Sequence, residues 1–242
     1  MDLKFLGRGS AFNPKEGNNS AYFIDRELFL IDCGESVFER LYDNSLLNYN
    51  INLLITHTHS DHIGSIGSLV MYCYYVLNKP LNIVVPRHDK YIDSIDKILS
   101  CFGCTNDMYN FVFDNSFDNL YNSFQSVRYV KTKHCDNLEC FSILFNTRNG
   151  VIYYSGDTFD TSIIKNIVDN EKIDKLYIDT TSIDSPSNVH LYIGVLKNII
   201  PSKFKNKVYC MHINSDECIE MAKDIGFNVV EVESKKVFVK NK

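Results

Sequence analysis

What this chain lacks narrows its class before any motif is read. Its longest apolar run, Leu69 to Leu77, is far short of the ~20 residues a helix needs to cross a bilayer. The first residues, Met1 to Gly7, read as a strand and lack the long apolar core of a secretory leader. A cytoplasmic protein with no membrane partner is therefore expected. No linker, low-complexity tract or short-period repeat divides the chain, so residues 1–242 are expected to form a single domain, long enough to bury a substantial core. Hydrophobic content of 45% and charged content of 23% are those of an ordinary folded domain. Positive charge is not in excess: the net charge is -5, and gripping a phosphate backbone needs a basic face, so a long nucleic acid is not the expected partner. The eight cysteines include one C-x-x-C, Cys101 to Cys104, but no second pair or neighbouring His completes a structural zinc site. They read as reduced thiols, and the pair as a helix end.

What the chain does have is concentrated in Thr56-His57-Thr58-His59-Ser60-Asp61-His62-Ile63-Gly64, which follows the apolar run Ile51 to Ile55. Three of the seven histidines fall here, where a buried strand should end and Gly64 lets the chain turn into a helix. His57 and His59 are two apart, so in extended backbone they point the same way and can share one ion. Asp61 and His62 follow at the turn and would face a second. Imidazole with carboxylate suits zinc, with manganese or iron as substitutes.

Alternation and punctuation predict strands at 2–6, 20–25, 27–32, 51–55, 82–85, 125–131, 139–146, 150–155, 175–179, 207–211, 228–232 and 236–239. Helices are predicted at 35–43, 64–78, 88–101, 160–169, 189–199 and 214–225. Strands and helices intermixed in two similar halves suit an α/β fold, a four-layer αβ/βα sandwich. The stretch Leu69 to Leu77 is apolar all round, so more than one of its faces should be buried. One face packs on a sheet; the other is expected to meet a second copy in a homodimer, or else to be covered by neighbouring segments such as 102–121.

His57-x-His59-x-Asp61-His62 resembles the signature of the metallo-β-lactamase fold, whose hydrolases use a two-metal centre. The family's other motifs follow in order. Asp32 lies in Leu30-Ile31-Asp32-Cys33-Gly34, His134 after a further strand, Asp157 in Gly156-Asp157-Thr158, and His212 closes Val208 to His212. The resemblance covers nearly the whole chain. It implies that His57, His59 and His134 hold one metal, that Asp61, His62 and His212 hold the other, and that Asp157 bridges them. Asp32 would fix a ligand His from behind. Two divalent ions roughly 3.5–4 Å apart share a water that ionises near pH ~7 and serves as nucleophile, oriented by Asp61. Taken singly the outer residues fit plainer roles: Asp32 capping a helix near Glu35, Asp157 capping one near 160, His134 on the surface.

Thioesterases, lactonases and phosphodiesterases share such ligands. Three features are similar to the ribonuclease Z branch of phosphodiesterases: the Gly17-Asn18-Asn19-Ser20 loop, the strand ending Tyr177-Ile178-Asp179-Thr180-Thr181, and His190. The likeness implies that His190 protonates the leaving oxygen and that Asp179 orients it, although a His at a helix start also fits a solvated cap. Ribonuclease Z enzymes hold tRNA with a long arm, commonly inserted between the third ligand His and the bridging Asp. Here only 23 positions separate His134 from Asp157, which leaves no room for an arm.

With its length and its opening Gly7-Arg8-Gly9-Ser10-Ala11-Phe12, the chain looks most like the phage anti-Pycsar phosphodiesterases. That implies hydrolysis of 3′,5′-cyclic mononucleotides such as cyclic CMP and cyclic UMP, with two Zn²⁺ or Mn²⁺ ions, in the host cytoplasm if phage-encoded. The alternatives are a tRNA 3′-processing endonuclease, a protein that sequesters nucleotide without turnover, and a thioester or lactone hydrolase. No base-reading residue is evident among the 15 Tyr and 16 Phe.

Overall fold

The computed structural model describes residues 1–170 and 172–233. The first half of the chain supplies β1 (Lys4–Gly7), β2 (Ser20–Asp25), β3 (Glu27–Ile31), α1 (Val37–Asp43), β4 (Ile51–Leu54), α2 (Ser60–Ile63), α3 (Ile66–Tyr75), β5 (Leu81–Val85), α4 (Asp89–Cys101) and β6 (Tyr109–Phe113). The second supplies β7 (Ser126–Thr132), β8 (Cys140–Thr147), β9 (Gly150–Tyr154), α5 (Ser162–Asp169), β10 (Ile173–Asp179), α6 (Ile193–Ile199), β11 (Val208–Met211), α7 (Asp216–Ile225) and β12 (Asn228–Val229). The strands form two sheets, ordered β1-β2-β3-β4-β5-β6 and β7-β8-β9-β10-β11-β12. In each, the first three strands are antiparallel and the last four parallel. The two halves therefore repeat one topology.

Period-two side-chain alternation builds the layers. In β3, Leu28 and Leu30 face the helical layer of α1, α3 and α4, packing with Val37, Leu69 and Leu99. Phe29 and Ile31 face the other sheet; Phe29 stacks on Phe23 of β2 at 4.8 Å and meets Phe124 edge-on at 5.4 Å, and Phe124 in turn meets Phe145 of β8 at 5.7 Å. The second sheet does the same: Ile152, Tyr154 and Tyr177 point inward, while Tyr153, Leu176 and Ile178 pack against α5, α6 and α7. Each buried phenylalanine contributes roughly 1.5–3 kcal/mol. The order helix, sheet, sheet, helix is the four-layer αβ/βα sandwich that the sequence leads one to expect.

Three elements differ from expectation. The helix expected over 64–78 is shorter, running from Ile66 to Tyr75; it is parted from α2 at Ser65, which leaves the helical path and donates from Oγ to Gly34 O at 2.6 Å. Strand β6 was not foreseen: it is an edge strand whose Phe111 and Phe113 are only partly covered, so it lacks a clean inside-outside pattern. The helix expected to begin at 189 begins at Ile193, which puts His190 in a loop. The expected strand 236–239 lies outside the described residues.

The all-apolar stretch is buried on one face and only partly covered on the other. Ile66, Leu69, Val70 and Cys73 are buried, Phe102 lies against Gly67, and Tyr74 Oη donates to Asp107 at 2.6 Å. Tyr75 and Val76 stay exposed at its end. Cys104 closes α4 by donating from its amide to Leu99 O at 3.0 Å, so the C-x-x-C is indeed a helix end, and all eight cysteines are free thiols. Among the described residues no helix is long and apolar enough to cross a membrane.

Candidate metal centre

The ends of the parallel strands converge on one edge of the sandwich, and the histidines and aspartates flagged in the sequence meet there. His57 and His59 follow β4, His134 follows β7, Asp157 follows β9, and His212 follows β11. Asp61 and His62 lie not in a strand-end loop but in the single turn of α2, whose curl brings both back beside the strand end.

Two groups form around Asp157. In one, His57 Nε2, His59 Nδ1 and His134 Nε2 converge, at 2.9 Å between the first two and 3.2 Å between the last two, with Asp157 Oδ2 3.8–3.9 Å from the outer pair. In the other, His62 Nε2 lies 3.2 Å from Asp157 Oδ1 and 3.4 Å from Asp61 Oδ2, and His212 Nε2 lies 3.2 Å from Asp61 Oδ2.

Both groups fit a divalent metal. Three imidazole nitrogens pointing at one another cannot all be satisfied by protons, whereas a tetrahedral ion with bonds of about 2.0–2.1 Å holds its ligands roughly 3.3 Å apart. His62 Nε2 and Asp157 Oδ1, both buried, have no hydrogen-bond partner, and such atoms are costly unless something fills the space between them. The surroundings ask for positive charge. Burial alone would push the Asp157 carboxyl up, yet the imidazoles of His212, His62 and His57 hold it well below the usual range. Burial opposes a charged His212, yet Asp157, Asp179 and Asp61 push it up to about 10. His57 and His59 are instead driven below the usual imidazole value by burial and by neighbouring histidines, the neutral state a ligand needs.

Three of the rings are aimed by a partner on the second nitrogen. His62 Nδ1 donates to Asp32 Oδ2 at 2.8 Å and His134 Nδ1 to Val189 O at 3.0 Å. His212 Nδ1 lies 3.3 Å from Asp179 Oδ1. Asp32 caps no helix: Oδ1 accepts from the Thr56 amide at 2.7 Å, and the Thr56 hydroxyl lies 3.0 Å from Oδ2. Asp157 caps none either, and His134 is buried rather than on the surface. His190 Nδ1 donates to Asp179 Oδ2 at 2.8 Å and sits 3.8 Å from Asp157 Oδ2, its side chain 27% exposed. Burial works against its charge, but Asp179 and Asp157 outweigh that and raise its pKa above the ordinary imidazole value.

The backbone is strained at two of these positions. Asp32 (φ 63°) and His212 (φ 55°) are left-handed, a conformation that costs a non-glycine residue roughly 1–3 kcal/mol. The Gly17 to Ser20 loop holds both in place. Ser20 Oγ donates to Asp32 O at 2.9 Å, and the His212 amide donates to Asn19 Oδ1 at 3.2 Å while Asn19 Nδ2 donates to Tyr154 Oη at 2.8 Å. Gly34 allows a close approach, since a Cβ there would lie 1.9 Å from Asp61 O. Sequence reasoning singled out the 17–20 loop without its role, and missed Thr56 although it opens the histidine motif. The carbonyl of Val189 carries no sequence signal at all.

The site opens into a cavity of about 440 Å³ lined by Ala11, Phe12, Glu35, Ser60, Val189 and His190 together with His59, Asp61, His134, Asp157 and His212. Among the described residues no lysine or arginine lines it.

A family model described as Anti-Pycsar protein Apyc1 matches residues 1–236. The chain is similar to the Anti-Pycsar protein Apyc1 of Paenibacillus harenae, 29% identical over 225 residues that span 88% of this chain and 89% of that one. It is likewise similar to the Anti-Pycsar protein Apyc1 of Bacillus phage BSP38, 27% identical over 230 residues, 87% and 88% of the two chains. The metallo-β-lactamase fold protein YhfI from Bacillus subtilis superposes with a TM-score of 0.73 at 18% identity, covering 96% of each chain. That likeness shows the fold.

Asp32→Asn keeps a residue that tolerates left-handed backbone but no longer offers His62 a charged acceptor. Metal affinity, measured by competition with a chromogenic chelator, is expected to fall roughly 10–100-fold; an unchanged affinity would show that Asp32 does not set the His62 ring.

Proposed function

The chain belongs to the Anti-Pycsar protein Apyc1 family, and on that premise we propose that it opens 3′,5′-cyclic mononucleotides such as cyclic CMP and cyclic UMP to nucleoside monophosphates, removing a cyclic-nucleotide defence signal. That the chain is a metal-dependent hydrolase follows from the family, the fold and the paired His/Asp groups. The observation that carries the finer reading is His190, held by Asp179 beside both metal groups in a cavity lined by no lysine or arginine. Such a site has an acid for a poor leaving group and no grip for a polyanion. The 23 positions between His134 and Asp157 are taken up by β8, a short turn and β9, which supports a compact substrate over tRNA.

His57, His59 and His134 would hold one ion, Asp61, His62 and His212 the other, with Asp157 shared; Zn²⁺ suits the donors, and Mn²⁺ is the alternative. Ions bound there supply a nucleophilic hydroxide at neutral pH and offset charge on the phosphoryl oxygens. The chain's own residues do the rest. Asp61 has a second carboxylate oxygen to orient the attacking water. His190 has Nδ1 committed to Asp179, so Nε2 carries the proton that goes to the ribose oxygen as its bond to phosphorus breaks. Asp179 stays ionised beside it. Burial opposes that charge, but His190 keeps the Asp179 pKa below the usual carboxylate value. A homodimer belongs to the same reading, seated on the exposed Tyr75 and Val76 at the end of α3.

The first test is a panel of 3′,5′-cyclic mononucleotides, linear dinucleotides and a precursor tRNA. Opening of cyclic mononucleotides that is abolished by chelation, restored by Zn²⁺ or Mn²⁺, and lost in His59→Ala and Asp61→Ala is the expected result. Cleavage of the tRNA alone would overturn the substrate assignment. His190→Ala should lower kcat on cyclic nucleotides roughly 10²–10⁴-fold but cost far less on bis(p-nitrophenyl) phosphate, whose leaving group needs no proton. Equal losses on both substrates would remove the acid role. Light scattering at micromolar concentration should report a dimer, and a monomer would dispose of that part.

A further inference from the structure

We propose that Phe12 is the platform on which the nucleobase of the substrate stacks, and so a specificity-determining residue of the cavity; this rests on the reading of the site as a nucleotide hydrolase. Phe12 is 98% exposed, so its ring contributes almost nothing to the fold. Yet it forms part of the wall of the cavity that contains His59, Asp61 and His190.

Its backbone is held firmly. Ala11 and Phe12 are the central residues of a turn closed by the Asn13 amide donating to Ser10 O at 3.0 Å. That turn is tied to the residue after His212: the Ser10 amide and Asn13 Nδ2 both donate to Ile213 O, at 3.1 and 3.0 Å, and the Ile213 amide donates to Arg8 O at 2.6 Å. Arg8 is fixed in turn by Glu16 at 2.6 Å. Gly9 packs so tightly that a Cβ would lie 2.4 Å from Asn13 O. An aromatic ring with two side-chain torsions on a rigid turn loses little entropy when a flat ligand covers it.

The rest of the wall selects what that ligand can be. Away from the metal-binding groups the lining is Ala11, Phe12 and Val189, with Glu35 and Ser60 as the polar members. A carboxylate and no lysine or arginine disfavour a second phosphate there, whereas an uncharged heterocycle finds an apolar face and a hydrogen-bond acceptor. The cavity of about 440 Å³ is of the size that takes a small molecule, and base–aromatic stacking tolerates any base because each has a π-face.

The test compares wild type, Phe12→Ala and Phe12→Trp on cyclic mononucleotides and on a base-free analogue, 1-O-methylribose 3′,5′-cyclic phosphate. Phe12→Ala should raise KM for the nucleotides roughly 5- to 100-fold with little change in kcat, and should erase most of the preference over the base-free analogue. Phe12→Trp should keep both. Unchanged KM values in an active Phe12→Ala enzyme would sink the proposal, as would an equal rise for the base-free analogue, which would mean that the ring merely shapes the turn. A shift from dimer to monomer on light scattering, with KM unaltered, would assign Phe12 to a second copy instead. Wild-type enzyme that opens no cyclic mononucleotide would overturn the underlying reading and this inference together.

Discussion

The carboxylate of Asp157 is the constraint on which the rest of the structure turns. It is buried, and it is within 4 Å of His57, His62, His134, His190 and His212. An ionised group in such a place is tolerable only if positive charge surrounds it. Asp32, Asp61 and Asp179 stand close by, so four carboxylates share one pocket. Two divalent cations would balance them. Everything else at the site can be understood as holding that balance in register: second nitrogens anchored on Asp32, Asp179 and a backbone carbonyl, and two left-handed residues kept in place by the loop before β2.

The sandwich makes this concentration possible. Parallel strands end together, and each half of the chain repeats the same arrangement of antiparallel then parallel strands. Two sheets packed face to face therefore bring two sets of strand ends to a common edge, where loops can carry ligands without disturbing the aromatic core around Phe29 and Phe145.

Much of this was legible in the chain. The spacing of His57, His59, Asp61 and His62 announced a metal loop, because residues two apart in extended backbone share a side. The remaining ligands followed from a family resemblance whose motifs fall in order. The layers were legible because Leu28 to Ile31, Ile152 to Tyr154 and Leu176 to Ile178 alternate cleanly between two apolar environments. What escaped did so for physical reasons. Strand β6 is an edge strand with only partial burial, so its pattern is weak. The break at Ser65 depends on a hydrogen bond to Gly34, thirty-one positions away. The Val189 carbonyl is a backbone group that any residue would supply. Asn19 looked like part of a turn; its work of bracing His212 from across the sandwich becomes visible only when the two sheets are stacked.

The division of ligands between the halves bears on how the enzyme matures. Each metal group draws two residues from before the β6–β7 connection and two from after it: His57 and His59 with His134 and Asp157, and Asp61 and His62 with Asp157 and His212. A chain whose second sheet has not yet docked can offer no more than half of either coordination sphere. Any ion these groups take would meet its full set of donors only once the two halves have come together.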